Sequence, residues 1–193
     1  NTPYSKTPKT LPTVLTQEET LQLFQAITNT THSLIVRFMY SAGLRVSEVA
    51  RLRVRDIEFT KQYGWVRQGK GRKDRLFLLA HGLQHELHDY ILSKALHHDN
   101  WIFNGRKQTH ISQRTIYELV KNAAKKAGIH KNVHPHTLRH SFATHLIENG
   151  CDVATVQSLL GHASLDTTMT YVHMVPPTML KVQSPYDALH QNT

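Results

Sequence analysis

The sequence predicts an α+β fold that is mainly α-helical: a helical domain with a small antiparallel β-hairpin or sheet. Apolar residues recur with helical spacing over most of the chain, and one central stretch carries strand-type residues on both sides of a glycine-containing turn. The 39% hydrophobic and 19% charged fractions are those of an ordinary globular protein. A chain of 193 residues is long enough for one domain with its own core.

The first part of the chain predicts three helices. Thr16 and Glu19 have the spacing of a capping box, in which two side chains bond the free amide groups at a helix start. Gly43 is the expected end of the second helix, and Ser47 is the expected cap of the third. The three helices are expected at about 17–28, at about 31–42 and from Ser47 to about Leu52.

The middle of the chain changes to a strand pattern. Tyr63–Gln68 and Arg75–Leu79 are rich in aromatic, β-branched and other apolar residues, and the segment GKGRKD lies between them at 69–74. This arrangement predicts a β-hairpin with a basic tip. Helical patterns follow at about 82–97, 112–127, 137–149, 153–160 and 165–173, with Gly128, Gly150 and Gly161 at expected helix ends.

Charge favours a polyanionic partner. The chain has 23 Lys+Arg against 14 Asp+Glu, a net charge of +9, and nucleic acid is the commonest polyanion in cells. One cysteine, Cys151, excludes an internal disulfide and argues against a thiolate zinc site. No apolar run approaches the roughly 20 residues that cross a bilayer, and residues 1–15 lack a signal-peptide core. We therefore expect a soluble, cytoplasmic protein without a membrane partner.

The 15 histidines raise the question of a metal site. His81, His85 and His88 share one helix face, and His136 and His140 are four residues apart. Zinc needs three or four convergent ligands, and the carboxylates lack the spacing of an HExxH helix. We expect no metal site, and a histidine-rich metal hydrolase ranks last among the alternatives.

Four short segments have a more specific order. They are GLRVSE at 43–48, HTLRH at 136–140, LLGH at 159–162 and YVH at 171–173. Together with a lysine between two glycines in the hairpin tip, they resemble the tyrosine recombinases, the phage integrase and Xer-type family of site-specific DNA recombinases. The match runs from about Leu15 to His173. It implies six catalytic residues: Arg45, Lys70, His136, Arg139, His162 and Tyr171.

The chemistry of these residue types agrees with the resemblance. Cutting a phosphodiester without a metal needs a nucleophile, cations for the phosphorane charge and an acid for the departing oxygen. The tyrosine phenolate can attack phosphorus and form a covalent intermediate, and arginine forks suit the non-bridging oxygens. By family resemblance, Tyr171 is the nucleophile, Arg45 and Arg139 hold the phosphate, and His136 moves the phenolic proton. His162 bonds the phosphate or orients the tyrosine, and Lys70 protonates the leaving 5′ oxygen.

Other cations are candidate DNA contacts. Arg72, Lys73 and Arg75 in and beside the hairpin tip are either phosphate contacts or part of a solvated hairpin, and both alternatives stay open. Three more candidates flank the start of a helix, and for each the alternative of an ordinary solvated surface residue is favoured: Arg106, Lys107 and Arg114.

The resemblance implies a division of the chain. Residues 1–13 are expected to be the linker from a missing N-terminal DNA-binding domain, and residues 14–176 the catalytic domain. The tail at 177–193 either exchanges between protomers, folds back in cis without DNA, or is frayed. The implied partners are double-stranded DNA and further copies of the chain in a tetramer on DNA, which places the protein at the nucleoid.

The implied function is site-specific recombination. DNA strands are cut and rejoined through a 3′-phosphotyrosine, with no metal, ATP or other cofactor. Two further alternatives are a type IB topoisomerase-like DNA-relaxing enzyme, which re-ligates the original strand, and a non-catalytic DNA-binding module.

Overall fold

The structure, a computed structural model, describes residues 11–67, 74–161 and 182–191. Within these ranges the fold is mainly helical with one small antiparallel sheet, as the sequence predicts. The helices are α1 (Gln17–Gln25), α2 (Thr30–Ala42), α3 (Val46–Ala50), α4 (His81–Ser93), α5 (Gln113–Lys126), α6 (Pro135–Glu148), α7 (Val153–Leu160) and α8 (Pro185–Leu189). The strands are β1 (Ile57–Glu58), β2 (Tyr63–Val66) and β3 (Arg75–Leu78). The helix expected at 165–173 lies outside the described residues.

The capping box at the start of α1 is confirmed. Glu19 N donates to Thr16 Oγ1 at 3.0 Å, and Thr16 N donates to Glu19 Oε1 at 3.3 Å. The helix ends before the expected position because the chain must already turn into the next cap, where Asn29 Oδ1 accepts from His32 N at 3.0 Å. Hydrogen bonds between residues that are close in the chain therefore fix where α1 begins and where α2 begins.

The expected cap of α3 is wrong. Arg45, not Ser47, occupies the cap position, and α3 begins at Val46. The Glu48 carboxylate reaches back to accept from Arg45 N at 2.8 Å, so the acidic residue of the first turn bonds the free amide group. A serine hydroxyl is not needed for this role.

The sheet has three antiparallel strands in the order β1-β2-β3. The hairpin of β2 and β3 is confirmed, although each strand is shorter than expected, and the sequence pattern missed β1 because it is only two residues long. Val66 pairs with Arg75 at the end of the hairpin nearest its tip, so the connecting segment leaves the sheet between these two residues. Residues 68–73 of that segment lie outside the described ranges.

Helix α2 lies at the centre of the core and packs against α1, α3, α5, α6, α8 and β3. Phe38 meets Phe77 of β3 edge to face, with ring centroids 5.7 Å apart. Tyr40 is fully buried, and its hydroxyl pairs with His145 Nδ1 of α6 at 2.7 Å. His145 Nε2 pairs with the Leu15 carbonyl at 2.8 Å, which ties the start of α1 to α6. These two hydrogen bonds explain why His145 is buried: it has a structural role in the core.

The described part of the tail is packed rather than frayed. Tyr186 and Leu189 of α8 are buried against the same chain, with exposures of 4% and 3%. Ser184 Oγ donates to the Ser41 carbonyl at 2.7 Å, and the Asp187 carboxylate accepts from His81 N at 2.9 Å and from the next amide at 2.8 Å. None of the described helices has the length and apolar character needed to cross a membrane.

Candidate active site

Arg45 and Glu48 form the first pair of a buried charged cluster at the start of α3. Arg45 Nη1 donates to Glu48 Oε1 at 2.9 Å, in addition to the backbone bond to Oε2. The Glu48 side chain is 6% exposed, whereas the Arg45 side chain is 27% exposed. The carboxylate therefore fixes an arginine whose guanidinium still reaches solvent.

Arg75 is the second partner of Glu48. Its Nη2 donates to Glu48 Oε2, and its Nη1 donates to the Leu159 carbonyl at 2.8 Å. At 8% exposure, Arg75 is buried at the first position of β3. This contradicts one of the two alternatives for Arg75, a solvated hairpin residue, because the side chain is turned inward to the carboxylate; the other alternative, a phosphate contact, stays a prediction.

Arg139 completes the cluster from α6. It is 4% exposed, and its Nη1 donates to the Gly43 carbonyl at 2.6 Å while its Nη2 donates to the Leu160 carbonyl at 2.5 Å. These carbonyls belong to the ends of α2 and α7, where backbone acceptors lack partners inside the helix and carry partial negative charge. Arg139 thus ties two helix ends to the arginine cluster.

The glycine of the Leu-Gly-His segment is required by this arrangement. Gly161 follows α7 with φ 73°, in the left-handed region that residues with a Cβ rarely adopt. A Cβ at this position would lie 2.6 Å from Arg75 Cδ. Because both the backbone and the close approach of Arg75 exclude a side chain, Gly161 brings the chain directly against the cluster.

The electrostatics of the cluster favour an anion. Burial alone would raise the pKa of Glu48, but Arg75 and Arg45 together hold that pKa below its ordinary value. Burial, and then the charges of Arg45 and Arg75, lower the pKa of Arg139 to about 9, which still leaves it protonated at neutral pH. Among the described residues of the cluster, three guanidinium groups face one carboxylate, an arrangement that favours a bound anion such as a phosphate.

His136 lies on the exposed first turn of α6, three residues before Arg139. Its ring stacks on His140 at 6.1 Å between centroids and meets His134 edge to face at 6.1 Å. Tyr117 stacks on His134 in turn, at 6.3 Å. Burial, followed by the charge of His136, lowers the pKa values of both flanking histidines, so they favour the neutral form.

The structure thus brings Arg45 and Arg139 into one cluster and places His136 on the same helix as Arg139. The other predicted surface contacts, Arg106, Lys107 and Arg114, are exposed, as a phosphate contact requires. The remaining candidates lie outside the described residues: Lys70, Arg72, Lys73, His162 and Tyr171.

Sequence reasoning did not predict that Glu48 or Arg75 belongs to the cluster, and it missed Glu48 as a functional residue altogether. Glu48 had a visible signal, because an acid three residues after Arg45 at a helix start has capping-box spacing. Arg75 had none, since only the folded hairpin brings it to Glu48. Among the described residues, no three His, Cys, Asp or Glu side chains are arranged to hold a metal ion.

Comparison with known proteins identifies the family. The model of the phage integrase family matches residues 13–176. The chain belongs to the phage integrase family. Its relatives in this family include tyrosine recombinase XerA of Pyrococcus horikoshii, 41% identical over 171 residues, covering 86% of this chain and 58% of that protein. Tyrosine recombinase XerD of Bifidobacterium longum is 38% identical over 197 residues, covering 91% of this chain and 64% of that protein.

Solved structures of integrase-family proteins agree with the fold. The crystal structure of XerA recombinase has a TM-score of 0.72 at 32% identity, covering 93% of this chain and 65% of that one. XerH site-specific recombinase bound to difH substrate, in a pre-cleavage complex, has a TM-score of 0.69 at 28% identity, covering 92% of this chain and 55% of that one. The chain therefore spans between half and two thirds of the length of these relatives.

Proposed function

We propose that the chain is the catalytic domain of a site-specific DNA recombinase that cuts and rejoins strands through a 3′-phosphotyrosine on Tyr171. The observation that carries this proposal is the buried cluster of Arg45, Glu48, Arg75 and Arg139, whose excess positive charge suits a phosphate. Its two predicted catalytic arginines belong to family segments, and the relatives in this family are tyrosine recombinases.

Arg45 and Arg139 are proposed to hold the phosphate that is cut. A guanidinium group is permanently charged and offers paired N–H donors to the non-bridging oxygens, which become more negative in the pentavalent transition state. Because Glu48 and the ends of α2 and α7 already fix these side chains, little reorganisation is needed when the charge develops. This preorganisation supports cleavage without a metal ion.

Two further proposed catalytic residues are close in sequence to members of the cluster. Lys70 belongs to the hairpin segment between Val66 and Arg75, and Arg75 is itself a cluster member. His162 follows Gly161, which lies against Arg75. In the proposal, Lys70 protonates the leaving 5′ oxygen, and His162 bonds the phosphate or orients Tyr171.

His136 is proposed to take the proton from the Tyr171 hydroxyl during cleavage and to return it during rejoining. Its exposed position at the start of α6, beside Arg139, leaves the ring open to a bound substrate. The free energy of the cleaved phosphodiester bond is conserved in the phosphotyrosine bond. Rejoining to another strand therefore needs no ATP.

The proposed partners are double-stranded DNA and further copies of the chain, which places the protein at the nucleoid. XerH, a structural neighbour, is described as a site-specific recombinase bound to its difH substrate. We propose a tetramer on DNA in which the tail exchanges between protomers. The surface on which α8 packs supports this proposal. It buries Tyr186 and Leu189 of the same chain, and in the exchanged arrangement it receives the tail of a neighbouring copy.

Covalent trapping tests the proposed activity. Nicked suicide duplexes from a pool of candidate sites, incubated with the protein in EDTA, lose a short fragment after cleavage and so cannot be rejoined. We expect a protein–DNA adduct that survives denaturant with the wild type and none with Tyr171→Phe. An adduct that Tyr171→Phe still forms, or one that EDTA abolishes, contradicts the proposal. With intact duplexes in place of the nicked ones, re-ligation only to the original strand would instead indicate the topoisomerase-like activity.

A further inference from the structure

A second concave surface lies beside Arg45 and has Arg45 itself in its lining. This groove has a volume of about 570 Å³ and lies between the start of α3, the segment leading to β1 and the end of β2. Arginines dominate its lining: Arg45, Arg51, Arg53, Arg55 and Arg67. No described metal cluster or apolar patch explains this concentration of guanidinium groups.

The groove wall is rigid. Arg53 lies with its guanidinium carbon 3.6 Å from the centre of the Trp101 ring, and its Nη1 donates to the Asp99 carbonyl at 2.5 Å. Backbone bonds from Ile102 N to the Leu52 carbonyl at 2.9 Å and from Val54 N to the Asn100 carbonyl at 3.1 Å join the two segments. Stacking and hydrogen bonding therefore hold the Arg53 fork in one orientation.

Among the residues that line the groove, five arginines outnumber two carboxylates, and one of the arginines, Arg55, also pairs with Asp99 outside the lining at 2.9 Å. Glu48 is already paired with Arg45 and Arg75, and Asp56 accepts from Arg53 N at 2.9 Å and lies 3.6 Å from Arg67. Arg51, in contrast, is exposed, and its guanidinium has no hydrogen bond or ion pair among the described residues, although its backbone amide donates to the Glu48 carbonyl at 3.3 Å. An anionic ligand would complete this set of donors.

We propose that the groove binds backbone phosphates of the DNA strand next to the phosphate that is cut, with Arg51 and Arg53 as the contacts. The inference rests on the proposed function, since Arg45 belongs to both the groove and the catalytic cluster. A strand with its scissile phosphate on Arg45 must continue past the cluster, and this arginine-lined surface adjoins it. Trp101 stacks on one face of the Arg53 guanidinium and so fixes the plane in which its N–H groups donate.

Salt-dependent binding tests the groove. Affinity for a fluorescein-labelled 30-base-pair duplex of mixed sequence is measured by anisotropy over a series of KCl concentrations. Each lost phosphate contact reduces the slope of log affinity against log salt by about 0.9. We expect Arg51→Gln with Arg53→Gln to reduce the slope by roughly 1.8 and to weaken binding about 10- to 100-fold at 0.1 M salt. The control, Lys125→Gln with Lys126→Gln, removes the same charge from the exposed end of α5 and should leave the slope unchanged.

Tryptophan quenching gives a second readout that removes no arginine. The chain has two tryptophans, so Trp65→Phe leaves Trp101 as the only indole reporter. We expect saturating duplex to protect Trp101 from acrylamide. If the arginine variants retain the wild-type slope, or Trp101 stays equally quenched in bound protein, the groove proposal is overturned while the proposed function stands. If the wild type neither binds duplex nor forms the Tyr171 adduct, the proposed function fails and the groove proposal with it.

Discussion

Glu48 is the residue that organises the cluster. One carboxylate bonds Arg45 through both backbone and side chain, and it also bonds Arg75 from β3. A buried ion pair contributes little net stability compared with an apolar replacement, but removing one partner leaves an uncompensated charge in the interior. Glu48 is therefore expected to matter most to stability and to the placement of Arg45, and not to touch the substrate.

Glu48→Gln tests this role. The amide keeps the shape but removes the charge that compensates Arg75, and we expect the free energy of unfolding at pH 7 to fall by about 3 kcal/mol. Because Arg75 and Arg45 hold the pKa of Glu48 below its ordinary value of 4.5, its contribution is full above that pH. The contribution is lost as pH falls through the folded-state pKa, so the variant and wild type converge in acid. Chemical denaturation at several pH values measures the difference.

The matched control is Glu118→Gln, at an exposed position of α5 where the same change should cost less than about 0.5 kcal/mol. A Glu48→Gln protein with wild-type stability at pH 7 would show that the cluster does not depend on the carboxylate.

At the scale of elements, α8 supplies a cap that α4 lacks. Ala80 occupies the cap position of α4 and has no side-chain oxygen, so the first amide groups would otherwise have no protein partner. The Asp187 carboxylate accepts from two of them, and its negative charge suits the helix N-terminus. Arg37 Nη1 joins the same contact by donating to the Tyr186 hydroxyl at 3.2 Å and to Glu86 Oε2 at 2.7 Å. The tail and α4 therefore stabilise each other.

Asp187→Ala and a chain ending at Val175 test the tail. We expect Asp187→Ala to lower the free energy of unfolding by about 1 kcal/mol, the usual cost of a lost cap, whereas Asp89→Ala on the exposed face of α4 should have little effect.

The shortened chain, which ends at Val175, should bind duplex as a monomer and fail to form the tetramer in sedimentation experiments. Unchanged assembly on DNA without the tail would contradict exchange between protomers.

For the whole molecule, the sequence predicts local structure better than contacts between distant segments. The Thr16–Glu19 cap and the hairpin are read correctly because their bonds join near neighbours or depend on alternation within a few residues. The start of α3 was misplaced because Glu48 competes with Ser47 for the cap, and side-chain preference alone favours serine. Helix boundaries are thus decided by which of several possible local bonds forms.

The site shows the same distinction. The order of family segments indicated Arg45 and Arg139, but it could not show that Arg75 turns inward, because this depends on a sheet that brings it to a carboxylate 27 residues away in the chain. The groove of Arg51 and Arg53 was also missed, since alternating arginines in a short connection are typical of any solvated turn. The packing of Trp101 against Arg53 is what distinguishes these arginines from those of an ordinary solvated turn.

The most direct test of the proposed reaction is to locate the covalent bond. The adduct from a nicked duplex is digested with protease and nuclease, and the modified peptide is sequenced by mass spectrometry. We expect a nucleotide joined through its 3′-phosphate to Tyr171, together with a free 5′-hydroxyl on the released strand. A nucleotide on any other residue, or a bond to a 5′-phosphate, would contradict the assignment of Tyr171 as the nucleophile of a 3′-phosphotyrosine recombinase.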